Sequence, residues 1–433
     1  MPSRIWFDAT TIQRLRRHAP VGLSRVEANV LRGAMHLPPS QARFCSFDRY
    51  SRRIQAMKRE DVEKLLEQYG RSGTSAIGQA RKALNPIRNL GKLIERNTRL
   101  TLRRSLLAAK TTLGIEKRFP DWSPGDAFVL SGSTWDSIDA PTLESIAVDC
   151  GLNLAIVIND MIPVLFPHHF GDPKAVESFA TFAECTARHA ALTLCISEST
   201  KADFERFAAS RSIVPKTTQV IRLGDECVCS VTDRPQELPR NFENQGFVVS
   251  VSTIQVRKNY QLLYQLWRRF AEEGRTDIPK LVIAGSSGWM TNDLRHQLQH
   301  DPLIKDKIVV LNHASDSELS WLYQHCRFSL YPSIYEGWGL PIVESLRYGK
   351  PCIASNTSSM PEASQGIAVH LDPYDFRQWH DAIVAWSTDH QLITQATRRI
   401  KDHYQHRSWD AFGQDFCNRV LSIGHQQTFA KAA

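Results

Sequence analysis

The stretch IYEGWGLPIVESLRYGKP, residues 334–351, sets two carboxylates, Glu336 and Glu344, eight positions apart around a glycine-rich turn. The preceding RFSLYPS (327–333) is rich in β-forming residues and predicts a buried strand. Pro341 stands where a helix can begin, at its first position, and Ile342, Val343 and Leu346 share one face of that helix. Gly349 suits the position just past the last turn, and PCIAS (351–355) predicts another short strand. The unit is therefore strand, glycine turn, helix, strand. Backbone amides at a helix N-terminus favour an anion. Gly337 and Gly339, on either side of Trp338 and before Leu340, allow the backbone to approach a ligand closely. Glu344 lies one turn into the helix, so its side chain leans back toward the same mouth. A carboxylate there can accept two hydrogen bonds from a vicinal diol such as a ribose. Glu336 precedes the turn and faces the other end of a phosphate-containing ligand. The ligand is then anionic in its middle and hydroxylated at both ends, a description that a nucleotide-sugar fits.

The longer run YPSIYEGWGLPIVESLRYGKPCIASNTSSMPEASQGIAVHLDPYD, residues 331–375, resembles the E-x7-E segment of family 4 glycosyltransferases, enzymes with the GT-B fold. The resemblance implies an α/β protein of two Rossmann-like domains facing across a cleft. It also implies a nucleotide-sugar donor held by the C-terminal half, with Gly337, Trp338, Gly339, Leu340 and Glu344 on the donor side. Its members retain anomeric configuration. The "EGWGLPIVES" and "VRKN" variants look most like mannosyltransferases that use GDP-mannose, with a UDP-sugar or another GDP-sugar as alternatives.

The 433 residues suffice for two or three domains. No apolar run approaches the roughly 18 residues of a membrane span, and the start MPSRIWFDATT lacks the apolar core of a signal peptide. Nine cysteines occur without a C-x-x-C pair, and Cys227 and Cys229 are the closest two. That pattern points to reduced thiols, a cytoplasmic chain and no metal site.

Net charge is +8, unevenly spread: residues 81–118 carry eleven Lys or Arg against two Glu, so the rest sums to −1. On a wheel of about 100° per residue, Arg88, Lys92, Arg96, Arg99, Arg103 and Lys110 fall within an arc of about 80°, opposite Leu90, Leu93, Ile94, Leu100 and Leu107. This predicts a basic amphipathic helix. Two readings stand: its leucines pack on the protein core, or it docks on an anionic membrane surface, which would make the chain peripheral at the inner face of the cell membrane. Nucleic acid is disfavoured, because no aromatics interleave with the basic residues.

Elsewhere strands and helices alternate. RIWFDATT (4–11), ARFCSFDR (42–49), DAFVLSG (126–132), LNLAIVIND (152–160), LTLCIS (192–197) and KTTQVIRLGDE (216–226) predict strands of a first half. GFVVSVST (246–253), PKLVIAGSSG (279–288) and KIVVLNH (307–313) predict strands of a second. GLSRVEANVLRGAM (22–35) predicts a helix preceded by Gly22 in a loop. Ser197 or Ser199 is set to cap the helix within ESTKADFERFAA. Such alternation implies parallel sheets with crossover helices. The expected division is 1–226, acceptor-binding, with a helical basic insertion at about 51–118; 227–405, binding the nucleotide-sugar; and 406–433, a helix returning to the N-terminal domain. RSWDAF resembles the start of that last helix, which makes Trp409 a packing residue. No G-x-G-x-x-G follows a strand, which argues against a nicotinamide or flavin enzyme.

Sugar transfer needs the leaving-group charge stabilised, and this chain has no D-x-D motif to hold a metal for that purpose. Fixed cations and helix dipoles must then serve. Arg257 and Lys258, in VSTIQVRKNYQLL, lie just past a strand where a diphosphate would sit, and they resemble the family's "G-x-x-x-x-R-K-N" signature. Thr253 stands where many relatives carry a further arginine, so either cation can be the phosphate contact. Gly285 and Ser286 end a second strand near the nucleotide. The resemblance places Gly22 in a loop facing donor phosphates and acceptor. INDMIPVLFPHHF (158–170) resembles the "H-D-x-x-P" segment, with Asn159 at the histidine position and Asp160 as base or sugar-hydroxyl ligand; the neighbouring His168 and His169 read as surface residues. Glu336 would hold a donor-sugar hydroxyl. The expected partners are a nucleotide-sugar and a glycan or lipid-linked acceptor, with no cofactor beyond the co-substrate. A catalytically silent scaffold and a nucleotide-sugar epimerase are the competing readings.

Overall fold

The computed structural model describes residues 4–15, 22–48, 52–71, 119–226, 233–239, 246–288 and 290–423. Its first half is a sheet of β1 (Ile5–Asp8), β2 (Ala42–Asp48), β3 (Arg53–Met57), β4 (Ala127–Leu130), β5 (Asn153–Ile158), β6 (Ala190–Cys195) and β7 (Thr218–Val220). They lie in the order β3-β2-β1-β4-β5-β6-β7. Neighbours are parallel except β3, which runs antiparallel to β2 with Ile54 opposite Phe47. Parallel strands joined by crossover helices are covered on both faces, which is why β1 and β4 are buried along their whole length.

Strand β3 corrects the expectation of helix from residue 51 onward. Residues 53–57 pair with β2 and bury Arg53 and Ile54, and so short a stretch carries too few apolar side chains to display its period. Helix follows at Arg59–Arg71, burying Val62, Leu65, Leu66 and Tyr69. The basic amphipathic pattern from Arg88 to Lys110 lies outside the described residues.

The second half holds β8 (Phe247–Val251), β9 (Lys280–Ala284), β10 (Ile308–Leu311), β11 (Ser329–Tyr331), β12 (Cys352–Ser355) and β13 (Val369–Leu371). Their order is β10-β9-β8-β11-β12-β13, with every pairing parallel. This is the doubly wound Rossmann arrangement, whose direction of winding reverses between the first and fourth strands, here β8 and β11.

The two halves share an apolar core. The helix Trp409–Leu421, capped by Ser408 on the Ala411 amide, lies against the N-terminal helix Gly22–Ala34. Gly33 and Gly413 make this crossing close: a Cβ at Gly33 would lie 2.5 Å from the Gly413 carbonyl oxygen. Phe412, Phe416 and Val420 join Val26, Val30 and Leu31 in one cluster, which continues into Trp338, Ile342 and Val343 of the other half. Trp409 is buried and packs over Gly224. No described helix is long and apolar enough to cross a membrane.

Candidate active site between the domains

In doubly wound sheets the ligand crevice opens at the carboxyl ends of the strands where the winding reverses. After β8 the chain makes a single short turn, Val256–Lys258, closed by Asn259 in a left-handed conformation. After β11 it runs through residues 332–339 into the helix Leu340–Arg347. The topology thus brings Arg257 and Lys258 to Glu336. One carboxylate oxygen, Oε1, receives Lys258 Nζ at 2.6 Å, Arg257 Nη1 at 2.8 Å, the Tyr331 hydroxyl at 2.9 Å and the Ser333 hydroxyl at 2.5 Å. The other oxygen, Oε2, takes no hydrogen bond from any described residue. The Glu336 amide donates to Ser358 Oγ at 2.9 Å, which fixes the turn.

The two cations are 16% and 13% exposed at their side chains. Burial raises the Glu336 carboxyl, but Arg257 and Lys258 outweigh it and hold the group at about 2. Burial pushes Lys258 down to about 8, because the attraction of Glu336 is shared with Arg257, whose own charge repels it. The carboxylate has two cations to itself, whereas two cations divide one carboxylate.

The N-terminal domain closes over this cluster. Gly337 passes the 159–160 loop so closely that a Cβ there would lie 2.0 Å from the Asn159 carbonyl oxygen. Its lack of a side chain serves the approach of the other domain's backbone. Asp160 follows β5 and accepts the Ile162 amide at 3.0 Å. Burial raises its carboxyl, against the pull of Arg257. Tyr335 donates to Asp203 of the N-terminal half, and Glu362 accepts the Glu198 amide at 3.0 Å, where Ser197 caps the helix Glu198–Ser210.

Gly339 has φ +106°, a left-handed conformation suited to glycine, and Leu340 rather than Pro341 is the first helical residue. Glu344 is buried one turn into the helix: Arg25 Nη1 donates to its Oε1 at 2.5 Å and the Tyr323 hydroxyl to its Oε2 at 3.1 Å. Trp338 lies in the shared core, its indole nitrogen without a partner. Gly285 lies against the Ser252 carbonyl, 1.8 Å from where its Cβ would be, and Ser286 is exposed beside it. Gly22 is not in a loop but opens the helix Gly22–Ala34, where a Cβ would lie 3.8 Å from Leu340 Cδ1. His168 is exposed as expected, but His169 is only half-exposed. It stacks on Phe166, which in turn meets Tyr335, and burial, His168 and Arg257 lower its pKa.

Reasoning from the sequence missed Arg25, Tyr323, Tyr331 and Ser333. It also missed a buried acid pair where the first sheet reverses its winding, between β1 and β4. Asp8, at the end of β1, is raised to about 7 by burial, and Glu27 to about 8 by burial and by Asp8. Glu27 accepts the Ile12 amide at 2.8 Å, and Asp8 accepts the Thr10 amide and hydroxyl. Both therefore brace the turn that follows β1. Among the described residues no three His, Cys, Asp or Glu side chains gather as a metal site.

Residues 233–403 match the family model described as Glycosyl transferases group 1. O-antigen chain mannosyltransferase B of Escherichia coli is 35% identical over 166 residues, covering 38% of this chain and 43% of that protein. Serotype-specific mannosyltransferase WbdA of Escherichia coli is 26% identical over 225 residues, 50% of this chain and 27% of that one. The matches thus span less than half the length of these curated relatives. The crystal structure of Anabaena Alr3699/HepE in complex with UDP and glucose superposes with a TM-score of 0.54 at 15% identity, covering 99% of each chain. The α,α-trehalose 6-phosphate synthase of Burkholderia multivorans gives 0.51 at 13% identity over 78% of each. The fold is GT-B.

Proposed function

We propose that the chain is a hexosyltransferase of the family 4 type. It would move a sugar, with GDP-mannose the favoured donor, onto a lipid-linked or polysaccharide acceptor in bacterial surface-glycan synthesis. One observation carries this reading: Arg257 and Lys258 converge with Glu336 at the reversal point of the second sheet, and Oε2 of Glu336 is left to accept a sugar hydroxyl. The mannosyl donor and the glycan setting rest on the names of the relatives and on the motif variants.

The donor diphosphate sits against Arg257, Lys258 and the amides that open the helix Leu340–Arg347. Glu344 takes the ribose diol. The C1–O bond to phosphate breaks with its electron pair passing to the departing diphosphate, whose charge the two fixed cations stabilise without a metal. The acceptor oxygen bonds to C1 on the same face, so configuration is retained, and its proton passes to the departing phosphate oxygen. Glu336 holds the sugar while positive charge develops on it, and Asp160 lines the acceptor side. The basic segment 81–118 would keep the protein at the anionic surface where a lipid-linked acceptor resides.

The test incubates purified protein with GDP-mannose, GDP-fucose, UDP-glucose and UDP-N-acetylglucosamine, with and without EDTA. We expect EDTA-insensitive hydrolysis or transfer from one donor, with an α-linked product from an α-linked sugar. A melting temperature unmoved by any nucleotide, with no turnover, would identify a silent scaffold; interconversion of nucleotide-sugars without an acceptor would identify an epimerase.

A further inference from the structure

Arg25 belongs to the N-terminal domain, on the first turn of the helix Gly22–Ala34, yet its guanidinium lies in the C-terminal domain's donor region. Nη1 donates to Glu344 Oε1 at 2.5 Å and Nη2 lies 3.4 Å from Asp316 Oδ1. The Arg25 side chain is 12% exposed and that of Glu344 7%. Asp316 opens the helix Asp316–His325, whose Tyr323 holds the second oxygen of Glu344. Glu344 thus has one oxygen on the other domain's arginine and the other on a tyrosine of its own.

A vicinal diol bound by a carboxylate presents one hydroxyl to each oxygen. A carboxylate oxygen can accept more than one hydrogen bond, but here the guanidinium covers Oε1 and both side chains are largely buried, so a diol reaches Glu344 only when Arg25 moves aside. Releasing Glu344 also costs Arg25 its approach to Asp316, because both contacts come from one planar group. The arginine and the diol compete for the same covered side of Glu344, and the arginine belongs to the opposite domain.

We propose that Arg25 is the positioning residue that controls donor entry. It holds Glu344 for the N-terminal domain, and the nucleotide ribose takes Glu344 by displacing it. This rests on the reading of Glu344 as the ribose ligand, and the test separates the two claims. Domain contact and donor binding are then coupled through one side chain. The apparent affinity of the donor is its intrinsic affinity reduced by the fraction of molecules in which Arg25 has already let go.

Calorimetric titration of GDP and UDP, and of their 2′,3′-dideoxy forms, into wild type, Arg25→Gln and Asp316→Asn decides the matter. Removing a charge-assisted contact that must otherwise break predicts binding of the ribonucleotide about tenfold tighter in Arg25→Gln. A smaller gain is expected in Asp316→Asn, and no gain for the dideoxy forms in either. The Asp316 variant keeps Arg25 and supplies the same sign of change if the Arg25 variant fails to fold, which its melting curve reports. Affinity unchanged or weakened in both variants, while wild type still prefers ribose over dideoxyribose, overturns the role of Arg25 and leaves that of Glu344 standing. Equal wild-type affinity for ribose and dideoxyribose forms removes the ribose reading, and this inference falls with it.

Discussion

Replacing Glu336 by glutamine removes the carboxylate that Arg257 and Lys258 both hold, at 2.8 and 2.6 Å, while keeping an oxygen that can accept hydrogen bonds. Two buried cations are then left beside each other. Unit charges about 4 Å apart attract by about 4 kcal/mol at an effective dielectric constant of about 20. Even half of that, lost from Lys258, lowers its pKa by at least about one unit. Lys258 already stands at about 8, so the variant should lose this charge near neutral pH. Breaking a buried pair costs about 3–5 kcal/mol; because the amide keeps the Tyr331 and Ser333 contacts, the lower end applies. That corresponds to a fall in melting temperature of very roughly 6–12 °C. The assay is the affinity for a nucleoside diphosphate between pH 6.5 and 9. A protonated lysine attracts the diphosphate, so wild-type affinity should weaken as pH rises through about 8, and that of Glu336→Gln through about 7 or below. The same midpoint in both proteins would show that Lys258 is not the titrating cation and that the three groups do not act as one cluster.

Three further outcomes are expected. Gly337→Ala should push the domains apart, because its Cβ would lie 2.0 Å from the Asn159 carbonyl oxygen; a larger radius of gyration in solution scattering should accompany a turnover reduced by about 10²-fold, and wild-type values for both would refute the contact. Gly33→Val should lower stability by about 1–3 kcal/mol or more, since the added carbons meet the backbone at Gly413, and urea unfolding measures it. The third concerns acid: Glu336 is held at about 2 against an ordinary 4.5. The unfolded chain therefore binds the extra proton between those values. Its contribution of roughly 3 kcal/mol is whole above about 4.5 and is lost as pH falls toward 2, so the acid limb of the unfolding curve should be shallower in Glu336→Gln than in wild type.

What the sequence discloses and what it hides follow from the range of the forces involved. Buried parallel strands such as FVVSV and KLVIA are continuous apolar runs between helices, so both doubly wound halves are legible. The edges are not. Strand β13 presents no fully buried residue, and β3 carries charge and mixed burial, so neither displays the pattern of a central strand. The pairing of Arg257 and Lys258 with Glu336 was open to inference because topology alone sends the ends of adjacent strands β8 and β11 to one place.

Contacts across the cleft obey no such rule. Arg25 and Glu344 stand 319 positions apart, on helices of different domains. An arginine on the first turn of an amphipathic helix reads as a solvated residue until the second domain is in place. The same holds for Gly337. A glycine in a turn beside a ligand motif invites the explanation that a ligand comes near, and sequence alone gives no means of setting a ligand's approach against that of another backbone. His169 keeps part of its surface but is more covered than its neighbour His168, since Phe166, on which it stacks, meets Tyr335 of the other half. Among the residues that escaped notice, Arg25 is the one whose environment exists only when the domains meet; Tyr323, Tyr331, Ser333, Asp8 and Glu27 find their partners within their own half. A donor that enters between the domains meets Arg25, Gly337 and Tyr335 at the junction, so these contacts across the cleft, the hardest to read from sequence, are also those through which binding can be felt.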